Sequence, residues 1–296
     1  MATILLIGAN GQVGHELART LQPLGEVEAT VRGSLDLGDE AAVRAWVRRV
    51  RPALIVNAGA YTAVDKAESE PGQAFAVNAR APGALAEEAA ALGAWLIHYS
   101  TDYVFAGDKP DGAYVETDPT GPLSVYGRSK LAGEQAIAAA GARHVILRTS
   151  WVYGAHGANF AKTMLRLARE RDKLSVVADQ HGAPTSSRLI AEVTARVAQR
   201  LLAGAADGLA GIYHLQSAGV TTWHEFACAV VDQLRQRDAA AVRCREIAAI
   251  PTSAYPTPAR RPANSRLDCA KLERSFGVKL PHWRDDLEQR IEEILG

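Results

Sequence analysis

Thr3-Ile-Leu-Leu-Ile-Gly-Ala-Asn-Gly-Gln-Val-Gly14 opens the chain, and its reading decides the fold. Thr3 to Ile7 is a β-branched and aliphatic run, the composition of a parallel strand buried on both faces. Gly8, Gly11 and Gly14 follow at once, and Leu17, Ala18 and Leu21 then recur at helical spacing. Strand, glycine turn and helix in that order make a dinucleotide site. Glycine permits the tight turn and the close approach of backbone to phosphate, and the helix start offers free N–H groups and a positive dipole end. The spacing is Gly-x-x-Gly-x-x-Gly, a departure from Gly-x-Gly-x-x-Gly. A βα turn that only packs tightly is the competing reading, and the context favours cofactor binding.

Working outward, strand-like runs alternate with helical ones. Glu26 to Val31, Leu54 to Asn57, Trp95 to Tyr99 and Val145 to Thr149 read as strands. Helices are expected over Ala41 to Val50, after Asn78, and from Ser124 onward. This alternation predicts an α/β fold: a Rossmann-type doubly wound parallel sheet with a smaller C-terminal α/β substrate-binding lobe. The expected division is 1–152 for the dinucleotide domain, completed by elements within 178–217, with 153–177 and 218–296 forming the second lobe.

The second strand ends Thr30-Val-Arg32-Gly-Ser34, where an NAD site usually has an acid for the ribose 2′-hydroxyl. Arg32 instead suits a 2′-phosphate, so NADPH is the expected cofactor, with NADH a possible alternative. Asp36 is read either as reaching the adenine or as part of the N-cap region of the next helix. Asn78 is expected to tie its helix to a strand through its side chain. Thr101, at the C-terminal end of the fourth strand, is placed to hydrogen-bond a substrate carbonyl, though ST-turn chemistry explains it as well. In Ser124-Val-Tyr-Gly-Arg-Ser-Lys130, Tyr126 and Lys130 are four residues apart and share a helix face. An ammonium beside a phenol is expected to pull the phenol's pKa down toward working range.

The 296 residues are 48% hydrophobic, an ordinary globular composition long enough for two lobes. Lys+Arg and Asp+Glu both number 33, so no global charge draws the chain to nucleic acid or an anionic membrane. Cys228, Cys244 and Cys269 are scattered and odd in number. A disulfide framework is not indicated, which fits a reducing cytoplasm. No stretch reaches a membrane span, and the opening strand leaves no room for a signal peptide.

Beyond Tyr153 the pattern is sparser. Asn159 to Arg171 and Leu189 to Leu202 read as helices, and the latter is expected to pack back on the first lobe. Leu174 to Val177, Gly211 to Gln216 and Arg243 to Ile250 read as strands, and Gln180 to Ser186 as a loop. Thr222-Trp-His-Glu225 is a capping box, and a last helix runs from His282-Trp283 to Leu295. Pro251 to Pro262 holds four prolines and is expected to be a rigid, exposed loop. It carries Arg260 and Arg261, which either hold a diphosphate or are simply solvated.

Taken together, the glycine turn, Asn57-Ala-Gly59, Thr101 and Tyr126-x-x-x-Lys130 resemble the extended short-chain dehydrogenase/reductase superfamily. Ala60-Tyr-Thr-Ala-Val-Asp65, Ser100-Thr-Asp-Tyr-Val-Phe105, Arg148-Thr-Ser-Trp-Val-Tyr-Gly154 and Gly182-Ala-Pro-Thr185 narrow the resemblance to the dTDP-4-dehydrorhamnose reductases, over essentially the whole chain. That resemblance implies reduction of the C4 ketone of a dTDP-4-keto sugar by NAD(P)H. It implies Tyr126 as proton donor, Lys130 on the nicotinamide ribose, and Thr101 on the reacting oxygen. Thr101 and Asp102 would line the sugar site, Trp151 would pack on the substrate, and Arg261 lies in another matching run. Asn10, Gly11, Gln12, Val13, Asp36, Leu37, Ala60, Tyr61 and Thr62 would line the cofactor. Some members bind Mg²⁺ through acids at a dimer interface. Glu16 and Glu292 fall at matching positions, but the third acid is replaced by Arg188, and a cation there disfavours a metal. No metal is expected, and the partner is a small nucleotide-sugar, in a monomer or homodimer. The alternatives are another sugar-nucleotide epimerase or dehydratase of this superfamily, or a non-catalytic regulatory subunit.

Overall fold

The structure, a computed structural model, describes residues 2–204, 206 and 208–295. The first lobe runs β1 (Ala2–Ile7), α1 (Gln12–Thr20), β2 (Gly25–Thr30), α2 (Glu40–Val50), β3 (Leu54–Asn57), α3 (Val64–Ala67), α4 (Pro71–Phe75), α5 (Ala81–Leu92), β4 (Trp95–Thr101), α6 (Val125–Ala139) and β5 (Arg143–Thr149). There follow β6 (Val152–Tyr153), α7 (Phe160–Glu170), β7 (Lys173–Val177), β8 (His181–Gly182), β9 (Thr185–Ser186), α8 (Ser187–Leu202) and β10 (Gly211–His214). The chain ends with β11 (Thr221–Thr222), α9 (Trp223–Arg237), β12 (Glu246–Ile250), α10 (Ala270–Phe276) and α11 (Trp283–Leu295).

The central sheet has the order β10-β5-β4-β3-β1-β2, with every pair parallel. β1 shows why. Alternate side chains face opposite sides, so Ile4 and Leu6 pack with Leu17 of α1, with Leu21 just after it and with α8, while Leu5 and Ile7 pack with Val43 and Val47 of α2 and with α5. Both faces are covered, so the strand has no polar position from Ile4 to Ile7. The strand order reverses beside β1, which opens a crevice at the C-terminal ends of β1 and β3. A second core gathers Met164 and Leu165 of α7, Phe226 and Val230 of α9, and Trp283, Leu287 and Ile291 of α11. β12 pairs with β7 in a small parallel sheet of its own.

Several details differ from the sequence reading. Asp39 caps α2, accepting from the Ala42 N–H at 3.0 Å, whereas Asp36 closes a local turn by accepting from Gly38 N–H at 2.8 Å. Asn78 ties a π-helical turn not to a strand but to the loop after β3. Its Oδ1 takes the Tyr61 N–H at 2.8 Å, and its Nδ2 gives to Tyr61 O at 3.0 Å and to Ser129 Oγ of α6 at 3.0 Å. The segment expected as a loop from Gln180 to Ser186 contains two-residue strands, too short to carry periodicity. α10 places Leu272 in the core of the large sheet rather than in the second core.

Candidate active site

The glycine turn begins with Gly8 at φ +79°, a conformation that L side chains rarely adopt, and a Cβ there would sit 2.7 Å from Gly59 N. A Cβ on Gly14 would sit 2.0 Å from Gly8 O, so Gly14 lets α1 pack against its own turn. α1 has no side-chain cap and no acid in its first turn, which leaves its N–H groups open to an anion.

That turn forms one wall of a cavity of about 670 Å³. Gly8, Asn10, Gly11, Gln12 and Val13 line the wall; Arg32, Asp36 and Leu37 sit at one end, Ala60, Tyr61 and Thr62 along the floor, and Tyr126 and Lys130 at the other end. Lys66 lines the cavity too, near enough to Arg32 for its charge to be felt. Ser100 and Thr149 border the Tyr126 end, and both hydroxyls are buried without a hydrogen-bond partner among the described residues. A cradle that Cβ atoms would fill, open N–H groups at a helix start, cations at one end and orphaned hydroxyls at the other fit an elongated phosphorylated cofactor. Sequence reasoning missed Lys66, Ser100 and Thr149, because nothing local separates them from ordinary loop and strand residues.

Ser124 starts α6 by accepting the Gly127 N–H at 3.1 Å, and Glu68 accepts the Val125 N–H at 2.8 Å. These caps aim Tyr126 and Lys130 into the cavity. Arg148 of β5 holds the same helix to the sheet through a two-pronged bridge to Glu134, at 2.9 and 2.6 Å. Burial pushes the Tyr126 phenol up to about 12, partly opposed by the neighbouring Thr101 hydroxyl. Burial also lowers Lys130 to about 8, with Glu134 opposing it. The expected lowering of the phenol's pKa by Lys130 is therefore not seen. Lys130 Nζ donates to Tyr99 O at 2.6 Å and lies 3.2 Å from His98 Nε2, and loss of water dominates both groups.

Thr101 Oγ1 donates to Asp102 Oδ1 at 3.0 Å and accepts the Tyr103 N–H at 3.2 Å. Tyr103 meets Tyr126 edge to face with centroids 5.5 Å apart, and the Arg261 guanidinium lies 5.9 Å from the Tyr103 ring. Thr101 and Arg261 thus belong to the neighbourhood of the phenol, outside the cavity wall itself. Arg261 is not simply solvated: it bridges to Asp65 at 2.7 Å, and its Nη1 is buried without a partner among the described residues. Trp151 stands at φ +48°, which is rare for a bulky residue, and its ring stacks on Trp223 with centroids 3.7 Å apart. It does not line the cavity.

The acids expected around a metal are arranged otherwise. Arg188 lies 3.7 Å from Glu16, 2.9 Å from Glu192 and 3.5 Å from Glu293. Glu292 turns instead to Arg237. A guanidinium occupies the centre of the acids, so these residues do not fit Mg²⁺, and no group of three or more potential ligands forms among the described residues.

A doubly wound parallel sheet, a glycine-turn cradle and a Tyr-Lys pair closing one cavity define an NADP-dependent oxidoreductase of the extended short-chain class. Within that class, the family model described as RmlD substrate binding domain matches residues 1–295, and the chain belongs to that family, the dTDP-4-dehydrorhamnose reductases. It is 49% identical over 295 residues to the dTDP-4-dehydrorhamnose reductase of Shigella flexneri, covering 98% of this chain and 97% of that one. It is 50% identical to the enzyme of that name from Burkholderia thailandensis, covering 99% of each. Among solved structures, dTDP-4-dehydrorhamnose reductase from Bacillus anthracis in complex with NADP superimposes with a TM-score of 0.89 at 33% identity, covering 99% of both chains.

Proposed function

We propose that the chain reduces the C4 ketone of dTDP-4-dehydro-β-L-rhamnose to dTDP-L-rhamnose with NADPH. Membership of the reductase family supports the substrate, and the placement of Tyr126 and Lys130 at the far end of the glycine-turn cavity carries the chemistry. The cofactor, when bound, supplies the hydride. Asn10 to Val13 and the start of α1 hold its diphosphate, and Arg32, joined by Lys66, takes the 2′-phosphate, with NADH accepted less well. Asp36 and Leu37 border its adenosine end, and Ala60 to Thr62 the floor beneath it.

Tyr126, whose pKa of about 12 keeps it protonated at neutral pH, gives its proton to the C4 oxygen. Thr101 turns its one hydroxyl proton from Asp102 to that oxygen, and Lys130 holds the nicotinamide ribose. Asp102 and Trp151 face the sugar, and Arg261 reaches the substrate diphosphate from the second lobe. The large sheet thus serves the cofactor and the smaller lobe the substrate. Free Cys228, Cys244 and Cys269 support a reducing, cytoplasmic setting for a monomer or homodimer. Among the described residues no helix is long and apolar enough to cross a membrane.

The test is NADPH oxidation with the dTDP-4-keto sugar. Tyr126→Phe is expected to lower kcat by a factor on the order of hundreds while NADPH still binds, as for loss of a positioned acid. Near-normal turnover would remove Tyr126 from the mechanism.

A further inference from the structure

Behind Lys130 lies a buried chain of polar groups that the mechanism above does not use. Asn57 at the end of β3 and His98 on β4 are register partners, so their side chains emerge on the same face of the sheet. Both are 1% exposed and Lys130 is 2% exposed. Asn57 Nδ2 lies 3.1 Å from His98 Nδ1, and His98 Nε2 lies 3.2 Å from Lys130 Nζ.

The protons in this chain can be assigned by elimination. Gly59 N–H donates to Asn57 Oδ1 at 3.1 Å, which fixes the amide and turns Nδ2, a donor, toward the ring. His98 Nδ1 must then accept. Burial holds the His98 pKa well below its ordinary value, so the ring is neutral and its one proton sits on Nε2. That N–H points at Lys130 Nζ, which already donates to Tyr99 O. An ammonium has three donors and no lone pair, so it cannot receive this hydrogen bond; a neutral amine can.

We infer that Asn57 and His98 are positioning residues that select the neutral amine form of Lys130, and that protonating Lys130 requires His98 to change tautomer. The other charged groups facing this pair are accounted for. Glu134 on α6 is engaged by Arg148 of β5, and Asp102 acts on Tyr126 rather than on the amine. The direction of the Lys130 shift agrees. Moving the ring proton to Nδ1 would set donor against donor at Asn57, and turning the amide over would set donor against donor at Gly59. Gly59 lines the cofactor cavity, so the protonation of Lys130 is coupled to the cavity floor.

Asn57→Asp is the discriminating variant, because a carboxylate only accepts. It keeps the Gly59 bond, draws the ring proton to Nδ1, and leaves Nε2 free to accept from a lysine ammonium. The alkaline limb of the kcat/KM profile for the dTDP-4-keto sugar is expected to move up by about one pH unit or more, with NADPH affinity within a few-fold of wild type. This reading rests on Lys130 serving the proposed reaction, so a second measurement is independent of turnover. At a pH above the Lys130 pKa of about 8, long-range ¹H–¹⁵N correlations of the wild-type histidine rings should show His98 protonated on Nε2. An Nδ1-protonated ring in that pH range overturns the inference whatever the activity. An alkaline limb unmoved in Asn57→Asp, with the proton confirmed on Nε2, overturns the coupling to Lys130. Absence of any keto-sugar reduction by wild type sinks the proposed function while the ring measurement still decides the proton assignment.

Discussion

Asp102 is 2% exposed; Thr101 donates to its Oδ1, and its Oδ2 has no partner among the described residues. Burial raises its pKa from 3.8 to about 6, so the fold favours the neutral acid. The folded value is the higher one. The stability it contributes is therefore fully present below about pH 4 and lost as pH rises through about 6. Relative to Asp102→Asn, the wild type should lose about 3 kcal/mol in all as pH rises past both values, since each pH unit between the two pKa values is worth about 1.4 kcal/mol. Urea denaturation of both proteins at intervals from pH 4 to 7 reads this directly, and a flat difference curve contradicts it. The proposed role of Asp102 beside the sugar gives a reason to keep so costly a carboxyl. At the opposite end of the cavity the prediction concerns charge. Arg32→Gln should raise KM for NADPH by about tenfold and leave KM for NADH nearly unchanged, the loss of one charge-assisted contact. An equal rise for both cofactors would detach Arg32 from the 2′-phosphate.

α6 is the element that turns two side chains into a site, and its docking is concentrated in one buried ion pair. Glu134 and Arg148 side chains are each 3% exposed, and the guanidinium also lies 5.0 Å from the Phe105 ring. Removing one partner strands the other charge in the interior, so Glu134→Ala is expected to cost about 3–5 kcal/mol, whereas replacing both by apolar residues costs much less. Thermal melts of the single and double variants separate these outcomes. α6 was legible in sequence because Ser124 is a cap and Tyr126 and Lys130 fall at one helical spacing. β1 was legible for a similar reason, since burial on both faces leaves the run Ile4 to Ile7 without a polar residue. What was not legible depends on distant partners. The Asn57–His98 contact exists only through the register of β3 against β4, and two-residue strands such as β8 and β9 have no period to read. The direction of the Tyr126 and Lys130 shifts was also hidden, because spacing reveals which groups are neighbours but not how much water the fold removes from them.

At the scale of the molecule, the question is how the second lobe delivers its arginine to a site built on the first. Asp286 of α11 ties the last helix to β6 and β9, accepting from Tyr153 Oη at 3.2 Å, Ser186 N–H at 3.2 Å and Ser186 Oγ at 3.1 Å. Asp65 at the start of α3 holds the proline-rich loop through Ala259 N–H at 3.1 Å and Arg261 at 2.7 Å. Under the proposed function Arg261 therefore meets two anions, Asp65 and the substrate's diphosphate, and its Nη1, without a partner among the described residues, is in reserve. A planar fork matches either geometry, so binding substrate means competing with Asp65 for it. Two effects of opposite sign follow. Arg261→Ala should raise KM for the nucleotide-sugar by about tenfold to a hundredfold with KM for NADPH unchanged, as for loss of a bidentate phosphate contact. Asp65→Asn keeps an acceptor for Ala259 N–H but weakens the hold on Arg261, and should lower the same KM by a few-fold. In the double variant the benefit of Asp65→Asn should vanish, because it acts only through the guanidinium it releases. If Asp65→Asn lowers KM equally well without Arg261, the aspartate acts on the substrate by simple repulsion, and the arginine has no part in the exchange.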